Sequence, residues 1–143
     1  KDQIGICGSS LGAAIALIVA SEKKVKSLVL RTPAVYTKEM MTMKLGQIMK
    51  RQDSIFAEIK NPAKTEFMRA VAKFSGQLLV IVSAQDTIIP FLIPRAIFLK
   101  AERVEEKNLV IIKGAGHVLT DPAWKDEFYK LTEKWLVEHL ISG

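Results

Sequence analysis

The sequence predicts an α/β fold, in which a parallel sheet of about four strands carries helices on both faces. Segments with strand character and segments with helix character alternate along the chain, as expected for such a sheet. The strand segments are rich in Val, Ile and Leu without clean alternation, which is typical of strands buried on both sides. We predict these strands at residues 3–7, 25–30, 78–83 and 108–112.

The composition of residues 1–143 is consistent with one folded domain or most of one. The chain has 143 residues, of which 49% are hydrophobic and 25% are charged, so it can bury a substantial core and does not resemble a disordered tail. Its longest apolar run, residues 11–20, is shorter than the ~20 residues that cross a bilayer. We interpret this alanine-rich run as a buried helix, and we predict no membrane span.

The turn between the first strand and the first helix carries the strongest functional pattern. Gly8-Ser9-Ser10-Leu11-Gly12 is a Gly-x-Ser-x-Gly sequence with an apolar strand before it and an apolar helix after it, which is the context of a nucleophile elbow. Because such a turn is very tight, side chains in place of Gly8 or Gly12 are expected to collide with the neighbouring backbone. Ser10 is therefore the candidate nucleophile.

Two later residues follow predicted strands in the same way. Asp86 comes after the strand at residues 78–83, and His117 comes after the strand at residues 108–112. The carboxyl ends of parallel strands lie at one edge of a sheet, so the three side chains are expected to converge there. The chain order Ser, Asp, His is that of α/β-hydrolase triads and differs from the order on other serine-hydrolase folds.

Three segments resemble the α/β-hydrolase superfamily, in its serine-aminopeptidase-like and monoacylglycerol-lipase-like esterase branch. Residues 83–90 resemble the family segment in which a strand delivers the acid and a proline opens the next helix. Residues 114–117, Gly-Ala-Gly-His, look like the family's glycine-flanked histidine loop. Residues 28–34 resemble the strand and small-residue turn that follow the elbow helix. The resemblance covers nearly the whole chain.

This resemblance implies an acyl hydrolase that cleaves carboxylic esters of small molecules through an acyl-enzyme, without a cofactor. In that mechanism His117 accepts the Ser10 proton and later donates it to the leaving group, while Asp86 orients the imidazole. The backbone N–H of Leu11, the residue after the nucleophile, supports the oxyanion.

The resemblance also implies that the sequence corresponds to the carboxyl-terminal half of the fold, because the family's elbow lies near mid-chain. The second oxyanion-hole donor, which comes from an earlier loop in the family, has no counterpart here. Since losing one donor costs roughly 100-fold to 1000-fold in turnover, we expect the chain alone to be weak or inactive. We also expect the strand around residues 4–7 to be an open sheet edge, covered by self-association or by a missing amino-terminal half.

Residues 36–75 interrupt the alternation of strands and helices, at the place where the resemblance implies a small helical cap or lid over the site. All five methionines lie in this segment: Met40, Met41, Met43, Met49 and Met68. Methionine is flexible and polarizable, so the cluster either lines a site for acyl chains of varied shape or packs the cap onto the domain beneath. We expect four charged residues on the solvated side of the cap: Lys44, Arg51, Lys60 and Arg69.

Two members of the candidate triad, Asp86 and His117, also have a simpler explanation. Asp86 taken alone is explained by capping of the helix that Pro90 opens, and His117 taken alone by backbone hydrogen bonds within its loop. Their joint placement with Ser10 favours catalysis over coincidence.

The last helix is the clearest helical segment. Asp121 is the predicted N-cap and Pro122 the first helical residue, so we interpret Asp121 as a cap although it is a rival acid close to His117 in sequence. His139 lies near the end of this helix, and we interpret it as a surface residue. Aromatic and apolar residues recur at helical spacing and predict a core face: Trp124, Phe128, Leu131 and Trp135.

Other residue types limit the remaining functions. The single cysteine, Cys7, allows no internal disulfide and favours a reducing compartment such as the cytoplasm, and we interpret it as a small buried residue. Neither metal-ligand spacing nor a Gly-rich loop before Lys-Ser or Lys-Thr is present, so we predict no zinc site and no phosphate-binding loop. The net charge of +6 is scattered without interleaved aromatics, which argues against nucleic-acid binding.

Two further functions stay open beside the esterase. A peptidase of the serine-aminopeptidase type would need a pocket with acidic residues for a free amine. A non-catalytic interaction module could retain the triad as a relic.

Overall fold

The computed structural model describes residues 3–141 and contains a four-stranded, fully parallel sheet. The strands lie side by side in chain order, β1-β2-β3-β4. Their bounds are β1 (Gly5–Ser9), β2 (Ser27–Arg31), β3 (Gln77–Ser83) and β4 (Glu106–Ile112). The predicted fold class is therefore confirmed, and the predicted strands differ from the observed ones only at their ends.

The first strand shows why those ends shift. It pairs with β2 from Gly5↔Ser27 to Ser9↔Arg31, so its ladder continues two residues beyond the predicted end. The apolar pattern stops at Cys7, but backbone pairing does not depend on which side chains are apolar. Strand β1 therefore ends directly at the candidate nucleophile.

Helices cover both faces of the sheet. On one face lie α1 (Leu11–Glu22), α5 (Phe67–Lys73) and α6 (Leu92–Lys100), while α7 (Pro122–Leu140) crosses all four strands on the other face. Alternate strand residues feed the two layers, so Leu28, Leu30 and Val80 pack under the first group, and Val29 and Ile81 pack under α7. This alternation is the geometry of a sheet buried on both faces.

The outer strands are more exposed than the sequence suggests. Among the described residues, β1 pairs only with β2, and β4 pairs only with β3. Cys7 is exposed on β1, so its interpretation as a buried residue is wrong. Burial on both sides holds for the two central strands, whereas β1 and β4 lie at the margins, where one flank lacks a neighbouring strand.

Helix α1 is buried on one face only. Its alanines and Leu17 face the sheet, as predicted for a helix behind the elbow. An outer stripe remains exposed, and it consists of Leu11, Ile15, Ile18 and Val19. The apolar run therefore forms an exposed apolar stripe as well as a buried face, which corrects the prediction of a buried helix.

Helix α7 begins as predicted. The Asp121 side chain accepts a hydrogen bond of 2.8 Å from the Ala123 N–H, and Pro122 is the first helical residue. Trp135 is buried against the sheet, and the other three residues of the predicted core face pack around it. His139 is not a surface residue, because its side chain is 11% exposed and lies 3.1 Å from Glu106 at the start of β4.

Residues 36–75, which we call the helical segment, connect β2 to β3. They contain α2 (Lys38–Thr42), α3 (Leu45–Lys50), α4 (Gln52–Ile55), a short 3-10 turn (Pro62–Lys64) and α5. The segment is thus helical, as expected, and is built from very short pieces. Within residues 3–141, we find no helix with the length and apolar character needed to cross a membrane.

Candidate active site

Three side chains from distant parts of the chain meet at the carboxyl edge of the sheet. Ser10 lies between β1 and α1, Asp86 follows β3, and His117 follows β4. The Nε2 atom of His117 is 3.1 Å from Ser10 Oγ, and its Nδ1 atom is 2.8 Å from Asp86 Oδ2. The predicted convergence is thus present as a continuous line of hydrogen bonds.

The direction of these hydrogen bonds follows from the carboxylate. An ionised carboxylate only accepts hydrogen bonds, so Nδ1 of His117 must carry a proton to donate to Asp86. In the neutral imidazole, Nε2 is then an acceptor, and the Ser10 hydroxyl donates to it. The arrangement is chemically suited to removing a proton from Ser10.

The surroundings of Asp86 favour its ionised form. Its side chain is 3% exposed, and its second oxygen, Oδ1, accepts hydrogen bonds from the N–H groups of Ile88 and Ile89 at 2.9 Å and 2.8 Å. Burial acts to raise the pKa of Asp86, but the hydrogen bonds from His117 and from the two amides outweigh it and hold the pKa below its ordinary value. Asp86 caps a turn and contacts His117 at the same time, so the two explanations are compatible.

The serine turn is strained and tightly packed. Ser10 has φ of 53°, a left-handed conformation that non-glycine residues seldom adopt. A Cβ on Gly8 would press against the backbone carbonyl of Gly12, which explains why residue 8 is glycine. Apart from its chain neighbours and the backbone of its own helix, a Cβ on Gly12 would meet no described atom within 4 Å, so the collision predicted for Gly12 is wrong.

The histidine loop is tied to the aspartate loop through the backbone. The N–H of Gln85 donates to the Ala115 carbonyl at 2.8 Å, and the N–H of Ala84 donates to the Ile112 carbonyl at 3.1 Å. Gly114 enters the loop with φ of +73°, which glycine adopts without steric cost. These bonds fix the distance between the two segments that carry Asp86 and His117.

The amide of Leu11 is oriented by the start of α1. The first N–H groups of a helix have no partner within the helix, and Leu11 is the first residue of α1. In the part of the chain that the structure describes, this N–H donates to no other backbone group. It is therefore free to bind an oxygen atom next to Ser10.

Arg31 is a site residue that the sequence patterns did not single out. It ends β2 and is 8% exposed; its Nε donates to Ser9 Oγ at 2.9 Å and its Nη1 to the His117 carbonyl at 3.0 Å. Burial lowers the pKa of Arg31, while the nearby Asp86 carboxylate acts in the opposite direction. The available signal was a charged residue at the end of the apolar strand Leu28–Leu30, next to the predicted edge.

An open apolar pocket of about 250 Å³ begins beside the serine turn. It is lined by Leu11 and by seven residues of the helical segment: Tyr36, Met40, Met41, Met43, Leu45, Ile48 and Phe67. Three of the five methionines thus line the pocket, whereas Met68 is buried in the core and Met49 is exposed outside the pocket lining. All four charged residues expected on the solvated side are exposed.

Several solved structures share the architecture of this chain. It superposes on a dienelactone hydrolase from Anabaena variabilis with a TM-score of 0.68 and 20% identity, covering 96% of this chain and 50% of that one. It matches a Paleococcus ferrophilus monoacylglycerol lipase with a TM-score of 0.67 and 19% identity, over 96% and 69% of the two chains. It also superposes on a Pyrococcus furiosus esterase with a TM-score of 0.71 and 18% identity, covering 96% of this chain and 54% of that one.

These likenesses establish the α/β-hydrolase fold and confirm the resemblance seen in the sequence at that level. Residues 1–123 match the family model described as uncharacterised protein family UPF0227, and the chain belongs to this family. No curated protein sequence matches the chain. The chain spans between 50% and 69% of the length of the three hydrolases it is compared with.

Proposed function

We propose that the chain carries the active site of a serine hydrolase that cleaves carboxylic esters of small molecules. The observation that carries this proposal is the line of hydrogen bonds from Ser10 through His117 to Asp86. A catalytic triad is recognised by geometry and roles, and the His117 ring here bridges a hydroxyl and a buried carboxylate. The α/β-hydrolase fold raises the expectation of such chemistry by analogy.

The proposed reaction has two halves. His117 Nε2 accepts the Ser10 proton while Oγ attacks the acyl carbonyl, and the imidazolium then donates that proton to the departing alcohol, leaving an acyl-serine. In the second half His117 takes a proton from water, whose oxygen attacks the acyl carbon; the C–Oγ bond then breaks, the imidazolium returns its proton to Ser10 Oγ, and the carboxylic acid is released. Asp86 holds the Nδ1–H tautomer and stabilises the imidazolium.

The Leu11 amide is the proposed oxyanion donor. It follows the nucleophile directly and belongs to the first turn of α1, whose dipole also favours negative charge at this end. An oxyanion hole with one donor stabilises the tetrahedral intermediate less well than one with two donors, and the difference lowers the rate by roughly 100-fold to 1000-fold. We therefore expect slow turnover by the chain alone.

The pocket beside Leu11 favours esters with an apolar acyl group over peptides with a free amine. All eight of its lining residues are apolar or aromatic, so the pocket offers no carboxylate to an ammonium group. We propose that the helical segment acts as a cap over Ser10 and that its methionines adapt to acyl chains of different shape.

Hydrolysis of p-nitrophenyl esters of increasing acyl length tests this function. The wild-type chain should release p-nitrophenol, and Ser10→Ala should abolish that release. Ser21→Ala provides a matched control, because Ser21 lies on the same helix and only bonds the Ile18 carbonyl. Equal hydrolysis by the Ser10→Ala variant would refute the proposal. No hydrolysis by any form would fit both a relic module and a chain that lacks a second oxyanion-hole donor, and fluorophosphonate labelling of Ser10 separates the two, since an unlabelled Ser10 would favour the relic.

The open edge of the sheet supports a further proposal about partners. Ile4 beside β1 is 52% exposed, and Ile15 on α1, the helix that packs on β1, is 54% exposed. We propose that this surface is covered by self-association or by a further part of an α/β-hydrolase domain. Sedimentation velocity should show assembly of the wild-type chain that Ile15→Lys weakens, and a monomer in both cases would exclude self-association.

A further inference from the structure

We infer that Arg31 is a positioning residue that holds the histidine loop against the serine turn. The inference rests on the proposed hydrolase function, because it assigns Arg31 a role in aligning Ser10 with His117. Arg31 lies between the two loops, with 22 positions separating it from Ser9 and 86 from His117. It touches neither the proposed substrate pocket nor the reacting oxygen.

Arg31 contacts both loops at once. Its side chain donates to Ser9 Oγ and to the His117 carbonyl, at 2.9 Å and 3.0 Å. Its own carbonyl accepts the Ser10 N–H at 2.9 Å. A single residue therefore fixes the backbone of the proposed nucleophile and the backbone of the proposed base relative to each other.

Burying the charged Arg31 side chain costs free energy, and a role in positioning the two loops would explain why a charge lies there. A charged group inside a protein is normally paired, yet no carboxylate of residues 3–141 lies within 4 Å of Arg31, and Asp86 favours its charged form from a greater distance. Its partners are a hydroxyl and a carbonyl, and its guanidinium carbon lies 5.8 Å from the centre of the Phe128 ring on α7. An apolar side chain would fill the same space without the desolvation penalty.

The shape of the guanidinium explains why arginine suits this position. Its planar, rigid set of N–H donors directs Nε at one acceptor and Nη1 at another. A lysine ammonium is a compact charge on a flexible stem and cannot hold two acceptors in that fixed geometry. Positional precision matters here, since a misplacement of about 1 Å can cost about 100-fold in rate.

The test compares Arg31→Met and Arg31→Lys with a matched buried control, Gln77→Leu. Gln77 is a buried polar residue at the opposite, amino end of β3, where it donates to Glu105. In ester hydrolysis, Arg31→Met should lower kcat by about 10-fold to 100-fold with KM within about twofold, and Arg31→Lys should recover only part of that loss. Gln77→Leu should keep the wild-type kcat, even if its thermal midpoint falls.

A second readout does not depend on catalysis. Because the chain has only two histidines, nitrogen-15 spectra of the imidazoles can be assigned with a His117→Ala variant. Wild-type His117 should show the Nδ1–H form with Nε2 as acceptor, and both Arg31 variants should show a mixture of tautomers. If Arg31→Met does not fold, Arg31→Lys supplies the comparison.

The two readouts separate failure of this inference from failure of the proposed function. Wild-type kcat and an unchanged imidazole spectrum in the Arg31 variants would overturn the inference while leaving the hydrolase intact. If the wild-type chain neither hydrolyses an ester nor reacts with a fluorophosphonate at Ser10, the proposed function fails, and the imidazole spectrum alone tests the role of Arg31. A spectrum that changes in the Arg31 variants then supports the positioning role, and an unchanged spectrum refutes it.

Discussion

The carboxyl edge of the sheet and the helical segment are built in different ways. At the edge, Ser10, Asp86 and His117 each follow a strand within a few residues, and hydrogen bonds to backbone groups fix them. The helical segment is held by apolar contacts between short helices, and Met41 and Leu45 remain 62% and 58% exposed. The proposed chemistry thus lies on the part fixed by hydrogen bonds to the backbone, and the apolar pocket lies on the part held by apolar contacts.

This difference has a physical origin. Helices of four to seven residues are not stable alone and depend on packing, so their relative positions shift at low cost. Methionine side chains adapt further, because they are unbranched and polarizable. Changes at the edge should therefore reduce the rate of the chemical step, while changes in the helical segment should alter which substrates bind.

The largest effect is expected from loss of the proposed base. His117→Ala should lower kcat by about 10⁴-fold to 10⁶-fold, because Ser10 then lacks a proton acceptor. The measurement is steady-state ester hydrolysis, with His139→Ala as the matched control, since His139 lies on α7 and bonds Trp135 and Glu106. An equal fall in kcat in the two histidine variants would contradict the assignment of the catalytic base to His117 at the carboxyl edge of the sheet.

The next effect concerns the orientation of the imidazole. Asp86→Asn should lower kcat by about 10³-fold to 10⁴-fold, because the amide favours the wrong tautomer of His117. Asp121→Asn is the control, as Asp121 only caps α7. If Asp121→Asn were the more damaging change, Asp121 rather than Asp86 would be the acid.

A pair of glycines compares the two regions directly. Gly8→Ala should destabilise the chain by about 1–3 kcal/mol, since the new methyl group meets the Gly12 backbone. Gly46 in α3 has open space around it, so Gly46→Ala should stabilise the helix by about 0.5–1 kcal/mol. Urea unfolding measures both, and a harmless Gly8→Ala would show that the serine turn is not tightly packed.

A smaller effect is expected in the pocket. Met41→Ala should raise KM for a long-chain ester about 3-fold to 10-fold while leaving hydrolysis of the acetyl ester unchanged, because it removes apolar contact from the acyl group only. Met49→Ala is the matched control, as Met49 lies in the same segment outside the pocket lining. An equal loss for short and long esters in Met41→Ala would contradict a role in substrate fit.

The smallest effect is a pH dependence of stability. The pKa of folded Asp86 lies below that of the unfolded chain, so its carboxylate stabilises the fold above the unfolded pKa of ~3.9 and loses this contribution as pH falls through the folded pKa. The difference in free energy of unfolding between wild type and Asp86→Asn should therefore shrink below about pH 4. Urea titrations above and below that pH measure it; a constant difference would contradict the lowered pKa.

The parallel sheet and the converging residues could be predicted from sequence because both depend on local patterns. Apolar runs marked the four strands, and Ser10, Asp86 and His117 each followed a strand at the same edge. Strand order along the sheet then brought the three together without further information.

Other features depend on neighbours that a local pattern does not contain. The apolar strand predicts a buried Cys7, but the exposure of this residue depends on the position of β1 at the margin of the sheet. Arg31 looked like an ordinary charge at a strand end, although its partners, Ser9 and the His117 carbonyl, lie on two different loops. Gly12 matched a motif whose steric reason applies only to Gly8.

Labelling with a fluorophosphonate tests the central claim most directly, because this reagent bonds covalently to an activated serine oxygen. Tandem mass spectrometry of the labelled chain distinguishes Ser10 from its neighbour Ser9. We predict a phosphonyl group on Ser10 that is absent in the His117→Ala variant. Label on Ser9, or an unmodified Ser10 in the folded chain, would contradict the proposed nucleophile.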